Sequence, residues 1–289
     1  MIGITCPAGY MTNEKAQTCI NILQKWGFEV IVGKTLGSSS INYFSGSDDD
    51  RKDELQAMLD DDGINAILFG RGGYGMGRII DQLDFTKFKK RPKWLIGFSD
   101  ITVLHCHLNR RLNIAALHAP MAAAFNNGEN EFIASLHKAI TGRKAKYKCD
   151  PHAFNKTGTA TAELVGGNLS LLAHLCGTTS DVNTKNKILF IEDTGEYIYN
   201  IDRMLYQLKR NGKLDGLAGL IVGGFSEIKD TERAFGENVY EAIRDILQPY
   251  SYPVCFGFPV SHEKENYALK VGVRYALKVG KKNVQLSER

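Results

Sequence analysis

Apolar positions along the first half of the chain alternate between two rhythms. Short runs that read as strands, IGITCP (2–7), FEVIVG (28–33), INAILFG (64–70) and WLIGF (94–98), are separated by stretches with a helical period. Those stretches are NEKAQTCINILQKWG (13–27), closed by Gly27, and DDRKDELQAMLDDDG (49–63). Strand, amphipathic helix, strand is the signature of βαβ units around a parallel sheet, so an N-terminal α/β domain is expected over residues 1–140. The pattern fades over TGRKAKYKCDPHAFNKTGT (141–159), a polar, basic stretch read as a linker.

Beyond it, GNLSLLAHLCG (167–177), the strand KILFIED (187–193), the helix NIDRMLYQLKRNGKLDG (200–216), the strand LAGLIVGGF (217–225) and a helix around NVYEAIRDILQ (238–248) resume the alternation. The chain ends in runs of β character with turn glycines, YPVCFGFPV (252–260), YALKVGVRYALKVG (267–280) and KNVQL (282–286). The expected fold class is therefore α/β: a parallel-sheet domain followed, over 160–289, by a mixed α/β domain with a partly barrel-like sheet.

Composition narrows the function classes. With 36 basic and 32 acidic residues the net charge is only +4, too small and too evenly spread to serve as a nucleic-acid footprint. No apolar stretch approaches the ~20 residues needed to span a bilayer, and Met1-IGITCPAGY has no basic n-region or long apolar h-region, so a cytoplasmic protein without a membrane role is expected. The six cysteines, Cys6, Cys19, Cys106, Cys149, Cys176 and Cys255, form no CxxC pair and read as reduced thiols, most of them in the core.

In α/β sheets, functional groups collect at the carboxyl ends of strands. Ser99 follows WLIGF, Glu192 follows KILFI, and His262 follows YPVCFGFPVS. A serine hydroxyl needs a base to take its proton, and the base needs a third group to hold its tautomer; serine, histidine and carboxylate fill those roles. Each residue also has a plainer reading. Ser99 could cap the helix that follows it, Glu192 could pair with Arg203 or cap the next turn, and His262 could be a surface turn residue. The glycine turn GRGGYG (70–75) satisfies GxGxxG, but it follows the third strand, and no acidic residue ends a strand about 20 positions on, which speaks against a dinucleotide. Such a turn can equally offer backbone N–H groups to an oxyanion. His105, Cys106 and His107 are adjacent in a predicted helix and point in different directions, so no metal is expected there. Asp48, Asp49 and Asp50 read as helix-start charges.

RGGYG (71–75), IGFSDIT (96–102), HAPM (118–121), GGNLSLL (166–172), LFIEDTGE (189–196) with the downstream DRML (202–205), and GFPVSH (257–262) together resemble the LD-carboxypeptidase family of serine peptidases, in order and spacing over nearly the whole chain. The resemblance implies a two-domain, cofactor-free and metal-free enzyme, with Ser99 as nucleophile, Glu192 as the triad carboxylate and His262 as the base. Glu196 is then a bystander. Gly72 and Gly73, with the backbone N–H of Asp100, become the candidate oxyanion hole. Arg71 is the candidate cation for a substrate carboxylate, unless it only braces the loop.

Two positions depart from the family pattern: Ser261 stands where glycine usually precedes the histidine, and HAPM lacks the usual glycine before proline. The implied activity is release of terminal D-alanine from muramoyl tetrapeptides in peptidoglycan recycling, by a cytoplasmic homodimer acting on a muropeptide. The alternatives are a peptidase of the microcin C self-immunity type, acting on a peptidyl-nucleotide, and a non-enzymatic nucleotide-binding module built on the glycine turn. Trp26 and Trp94 fall in predicted helix or strand and suggest no adenine platform.

Overall fold

The computed structural model describes residues 1–289, the side chain of Asn127 excepted. It divides into two units, Met1–Gly142 with Tyr267–Lys270, and Arg143–Asn266 with Val271–Arg289.

The first unit carries a six-stranded sheet. Its strands are β1 (Ile2–Thr5), β2 (Val30–Val32), β3 (Ala66–Phe69), β4 (Trp94–Gly97) and β5 (Ala116–His118), with a last edge strand from far downstream (Leu269–Val271). β1 to β5 run parallel in the order β5-β4-β3-β1-β2. β1, β3 and β5 are buried at every position, as expected of parallel strands covered on both faces, whereas the edge strand β2 leaves Ile31 and Val32 exposed. Helix Asp48–Asp60 starts at a capping box in which Ser47 and Asp50 satisfy each other's backbone N–H groups, so the acidic run does serve a helix start. Because the strand order reverses beside β1, the loops leaving β1 and β3 diverge at the carboxyl edge, where open α/β sheets hold ligands.

In the second unit β6 (Lys146–Cys149), β7 (Gly158–Asn168), β8 (Ile188–Thr194), β9 (Gly219–Ser226), β10 (Val254–Phe256), β12 (Arg274–Val279) and β13 (Val284–Glu288) form one sheet in the order β10-β9-β8-β7-β12-β13-β6, the strand Leu269–Val271 being β11 in chain order. β7 to β10 are parallel; β12, β13 and β6 are antiparallel additions. The long strand β7 pairs with β12 through Gly158–Glu163 and with β8 through Leu164–Asn168. The two ends of the sheet also approach each other. Lys156 and Val254 exchange backbone hydrogen bonds of 3.0 and 3.1 Å, and the Cys149 and Cys255 thiols are hydrogen-bonded. The sheet is thus mixed and curled, without a continuous ladder around it.

Two details differ from the sequence reading. Residues 141–159, read as a linker, contain β6, whose alternating exposure (Lys146 out, Tyr147 half-buried, Lys148 out, Cys149 half-buried) marks a half-covered edge strand despite its lysines. The run YALKVGVRYALKVG is shared: Tyr267–Lys270 belongs to the first unit and only the remainder to the second. A three-residue strand, here Leu-Lys-Val, carries nothing in its own sequence that selects one sheet over another.

Candidate active site

In the first unit, Ser99 stands directly after β4 and opens a tight turn, Ser99–Ile101, leading into helix Thr102–His107. Its φ is +62°, in the left-handed region that costs a residue with a Cβ about 1–2 kcal/mol. The helical turns that follow are flanked by Phe98 and Ile101 rather than capped by the Ser99 hydroxyl, so the capping explanation does not account for it. A strained serine on a strand-to-helix turn is the arrangement that holds a nucleophile clear of the sheet, here without the final glycine of GxSxG, since Ile101 occupies that place.

The glycine turn packs against it. A Cβ on Gly72 would lie 2.9 Å from the Ser99 Cβ, 3.0 Å from Ser99 Oγ and 3.4 Å from the Asp100 backbone nitrogen, so only glycine brings this backbone so close to the serine. Gly73 has a φ of +100°, again a glycine conformation. Asp100 is buried, and its Oδ2 accepts a 2.7 Å hydrogen bond from the Met76 N–H, tying the serine turn to the far end of the glycine turn. The loop after β1 joins in, with Gly9 N–H donating to the Gly72 carbonyl at 3.1 Å.

Arg71 is exposed, and its Nη1 donates to the Tyr10 carbonyl at 3.0 Å, which gives it a bracing contact. Sequence reasoning missed Arg51. It is fully buried, donates to the carbonyls of Pro7 and Gly75, pairs with Asp48 and lies 4.8 Å from the Phe44 ring centroid. One guanidinium thereby pins the ends of both loops that frame the serine. The neighbouring histidines part company, as their adjacency on a helix requires: burial pushes His105 down to about 4, whereas half-buried His107 packs beside Phe85 with ring centroids 5.3 Å apart.

The second unit brings Glu192 and His262 together. Glu192, near the end of β8, is wholly buried, and its Oε2 lies 2.6 Å from His262 Nδ1. The other carboxylate oxygen is buried without a hydrogen-bond partner among the described residues. Arg203 is elsewhere engaged, over the Tyr199 ring at 5.1 Å, and Glu196 Oε2 accepts from the Asn200 amide at 3.1 Å. The first glutamate of LFIEDTGE, and not the second, is therefore the one that meets the histidine.

A bulge produces this meeting. The β8–β9 register steps from Ile191 opposite Val222 to Asp193 opposite Phe225, so Gly223 and Gly224 together face Glu192. A Cβ on Gly223 would lie 2.2 Å from the Val260 carbonyl oxygen, and one on Gly224 would lie 2.5 Å from the Ser261 Cβ. The glycine pair is thus the seat of the loop that carries His262. The run LAGLIVGGF reads as plain strand, and only the doubled glycine in it hints at a bulge.

Burial opposes charge on the His262 ring, but the Glu192 carboxylate at hydrogen-bond distance outweighs it, with lesser help from Asp193 and Glu227, and the imidazole is raised above the usual histidine value. Asp193 is pushed up to about 6, chiefly by burial, with the charge of Glu192 adding to it against the hydrogen bonds from Thr194, Asn168 and Ser170. Such an arrangement can hold one imidazole nitrogen fixed and protonated while leaving Nε2 to accept a proton.

Each unit thus offers one part of a candidate site: a strained serine against a glycine turn in the first, and a histidine hydrogen-bonded to a buried carboxylate in the second. The sequence comparison identifies the class: residues 2–119 match the LD-carboxypeptidase N-terminal domain and residues 161–277 the C-terminal domain, and the chain belongs to that family. Among its relatives, the probable murein peptide carboxypeptidase of Bacillus subtilis is 33% identical over 97% of this chain and 89% of its own length. The microcin C7 self-immunity protein MccF of Escherichia coli is 26% identical over 99% of this chain and 91% of its own length. The crystal structure of muramoyltetrapeptide carboxypeptidase from Oxalobacter formigenes superposes with a TM-score of 0.90 at 28% identity, covering 99% of this chain and 98% of that one. Among the described residues no helix is long and apolar enough to cross a membrane.

Proposed function

We propose that this peptidase is a serine-type LD-carboxypeptidase that releases the terminal D-alanine of muramoyl tetrapeptides. The observation that carries the reading is the 2.6 Å contact between Glu192 and His262 in the second unit; the strained serine against a glycine turn in the first unit supports it. With Nδ1 engaged by the carboxylate, Nε2 is the nitrogen left to take the Ser99 proton. Ser99 Oγ attacks the scissile carbonyl, and the negative charge that develops on its oxygen is received by the backbone amides of Gly72, Gly73 and Asp100. The protonated His262 then donates to the leaving amine of D-alanine; in the second half it takes a proton from water, which attacks the acyl ester, and returns that proton to Ser99 Oγ as the peptide leaves. Arg71 is the cation assigned to the terminal carboxylate, alongside its contact to Tyr10. A cytoplasmic recycling role and a homodimer belong to the same reading.

The murein names among the relatives support this substrate, while the relative named for microcin self-immunity supports a peptidyl-nucleotide instead. The tryptophans offer no adenine platform: Trp26 stacks on His137 at 4.3 Å and donates to Glu129, and Trp94 is built into β4 with the Lys270 ammonium 5.9 Å from its ring. The test is D-alanine release from a synthetic tetrapeptide by the purified protein, beside the diastereomer ending in L-alanine and a peptidyl-adenylate mimic. Strong preference for the D-ended peptide, on the order of 10²-fold, is expected, because inverting the last centre displaces the scissile carbonyl by about 1 Å. Equal rates on both diastereomers, or cleavage of the mimic alone, would refute it.

A further inference from the structure

Ser261, where the family resemblance expects glycine, is buried at 3% exposure in the middle of the loop that carries the base. Its hydroxyl makes two hydrogen bonds: Oγ donates to the Glu265 carbonyl at 3.0 Å and accepts from the Glu263 N–H at 3.0 Å. Those two bonds close the turn on the far side of His262. On the near side the loop is fixed to β9, where Phe258 N–H donates to the Val222 carbonyl at 3.2 Å and Gly224 N–H to the Val260 carbonyl at 2.9 Å. Ser261 can sit there only because Gly224 has no side chain. His262 is therefore held between a backbone clamp on one side and a side-chain clamp on the other, and glycine at position 261 would provide only the first.

We propose that Ser261 is a positioning residue for the base: its hydroxyl fixes the turn 261–265 and thereby keeps the His262 ring on Glu192. The proposal deepens the peptidase reading and rests on it for the catalytic consequence, though not for the structural one. The charged groups acting most on the imidazole are Glu192 and Asp193 on β8 and Glu227 beyond β9, while Glu263, Lys264 and Glu265 follow it on the loop itself. The coupling of His262 to Glu192 thus reports whether the loop is in place. A hydroxyl that merely stabilised the fold would change the unfolding temperature and leave that coupling alone.

The experiment compares S261A and G224A with the parent protein. One measurement is the histidine titration by NMR in the intact chain, with His262 assigned through H262Q; the other is kcat and KM on the tetrapeptide. In S261A the His262 titration should move down toward the ordinary histidine range, with kcat about ten- to a hundredfold lower and KM within twofold. G224A should reproduce both changes, because its methyl group displaces Ser261 with the hydroxyl still present. A folded S261A with an unchanged His262 titration overturns the proposal, whatever its rate. If S261A does not fold, G224A decides in the same way. If the parent protein releases no D-alanine, the peptidase reading fails, and the titration still judges Ser261.

Discussion

Glu192 Oε2 meets His262 Nδ1 at 2.6 Å from a fully buried position, with its second oxygen unpartnered among the described residues. Among the described residues the histidine is the hydrogen-bond partner shown for this buried carboxylate, and the carboxylate in turn favours the charged imidazole. Because the imidazole is raised by this carboxylate, its basic form appears only above the ordinary histidine range. The acidic limb of kcat/KM should accordingly lie above about 6.5. Glu192→Gln should lower turnover by about 10³–10⁴-fold and shift the residual activity's acidic limb to lower pH, while Glu196→Gln should leave both nearly unchanged. Rate profiles between pH 5 and 9 for the three proteins check this, and reversed severities would exchange the roles of the two glutamates.

Ser99 separates activity from stability. Ser99→Ala should abolish hydrolysis while keeping the fold, since the left-handed backbone remains occupied by a residue with a Cβ. Ser99→Gly should be equally inactive, yet more stable than the alanine variant by about 1 kcal/mol, because it relieves the strain at φ +62°. Urea unfolding of the two variants measures the difference, and a glycine variant less stable than alanine would contradict a strained turn.

Gly72→Ala tests the oxyanion assignment without touching a titratable group. The added methyl group would sit 2.9 Å from the Ser99 Cβ, so the glycine turn must withdraw from the serine. A loss of about 10²–10³-fold in kcat is expected, with a smaller change in KM. Preserved turnover in a folded variant would remove the turn from the chemistry.

Asp193 should leave its mark on the stability curve. Its carboxyl is raised to about 6 by burial, so the ionised form is penalised in the folded protein. The native state then holds a proton that the unfolded chain has lost between about pH 4 and 6, and stability falls as pH rises through that window, by about 3 kcal/mol in all. Asp193→Asn should flatten this slope. His262 acts in a different window: its raised value contributes stability below about 6.5 that is lost as pH rises further, and that slope should persist in the variant, reduced only by the lesser contribution of the Asp193 charge. Denaturant titrations at pH 4, 6 and 8 distinguish the two.

Much of the scaffold was legible because its signals are local. β1, β3 and β4 are short, almost wholly buried apolar runs, and helix Asp48–Asp60 announces itself by its period and its acidic first turn, though the Ser47 cap went unread. Ser99, Glu192 and His262 stood out because polar residues at the ends of buried strands need a reason to be there. That Glu192 faces His262, 70 positions away, could not be read from either neighbourhood; it depends on a register step opposite Gly223 and Gly224 that strand patterning does not display. Arg51 was hidden for the opposite reason, since a basic residue amid aspartates looks solvated until its partners are found to be carbonyls from other loops. β6 and β11 are too short and too weakly patterned to declare which sheet they serve.

The edge strand Leu269–Val271 has a consequence for how this protein can be taken apart. Chain order and spatial order disagree: the first sheet takes a strand from beyond residue 266, so the polypeptide passes between the two units three times. A fragment ending at Gly142 would leave Ala116–His118 as a bare sheet edge, open to pairing with other chains. The same stretch begins at Tyr267, five residues after His262, so the segment that follows His262 directly is also the one that completes the sheet bearing Ser99. The first sheet is therefore complete only when the chain beyond residue 266 is present, and a cut between the two halves of the sequence severs a sheet rather than a linker.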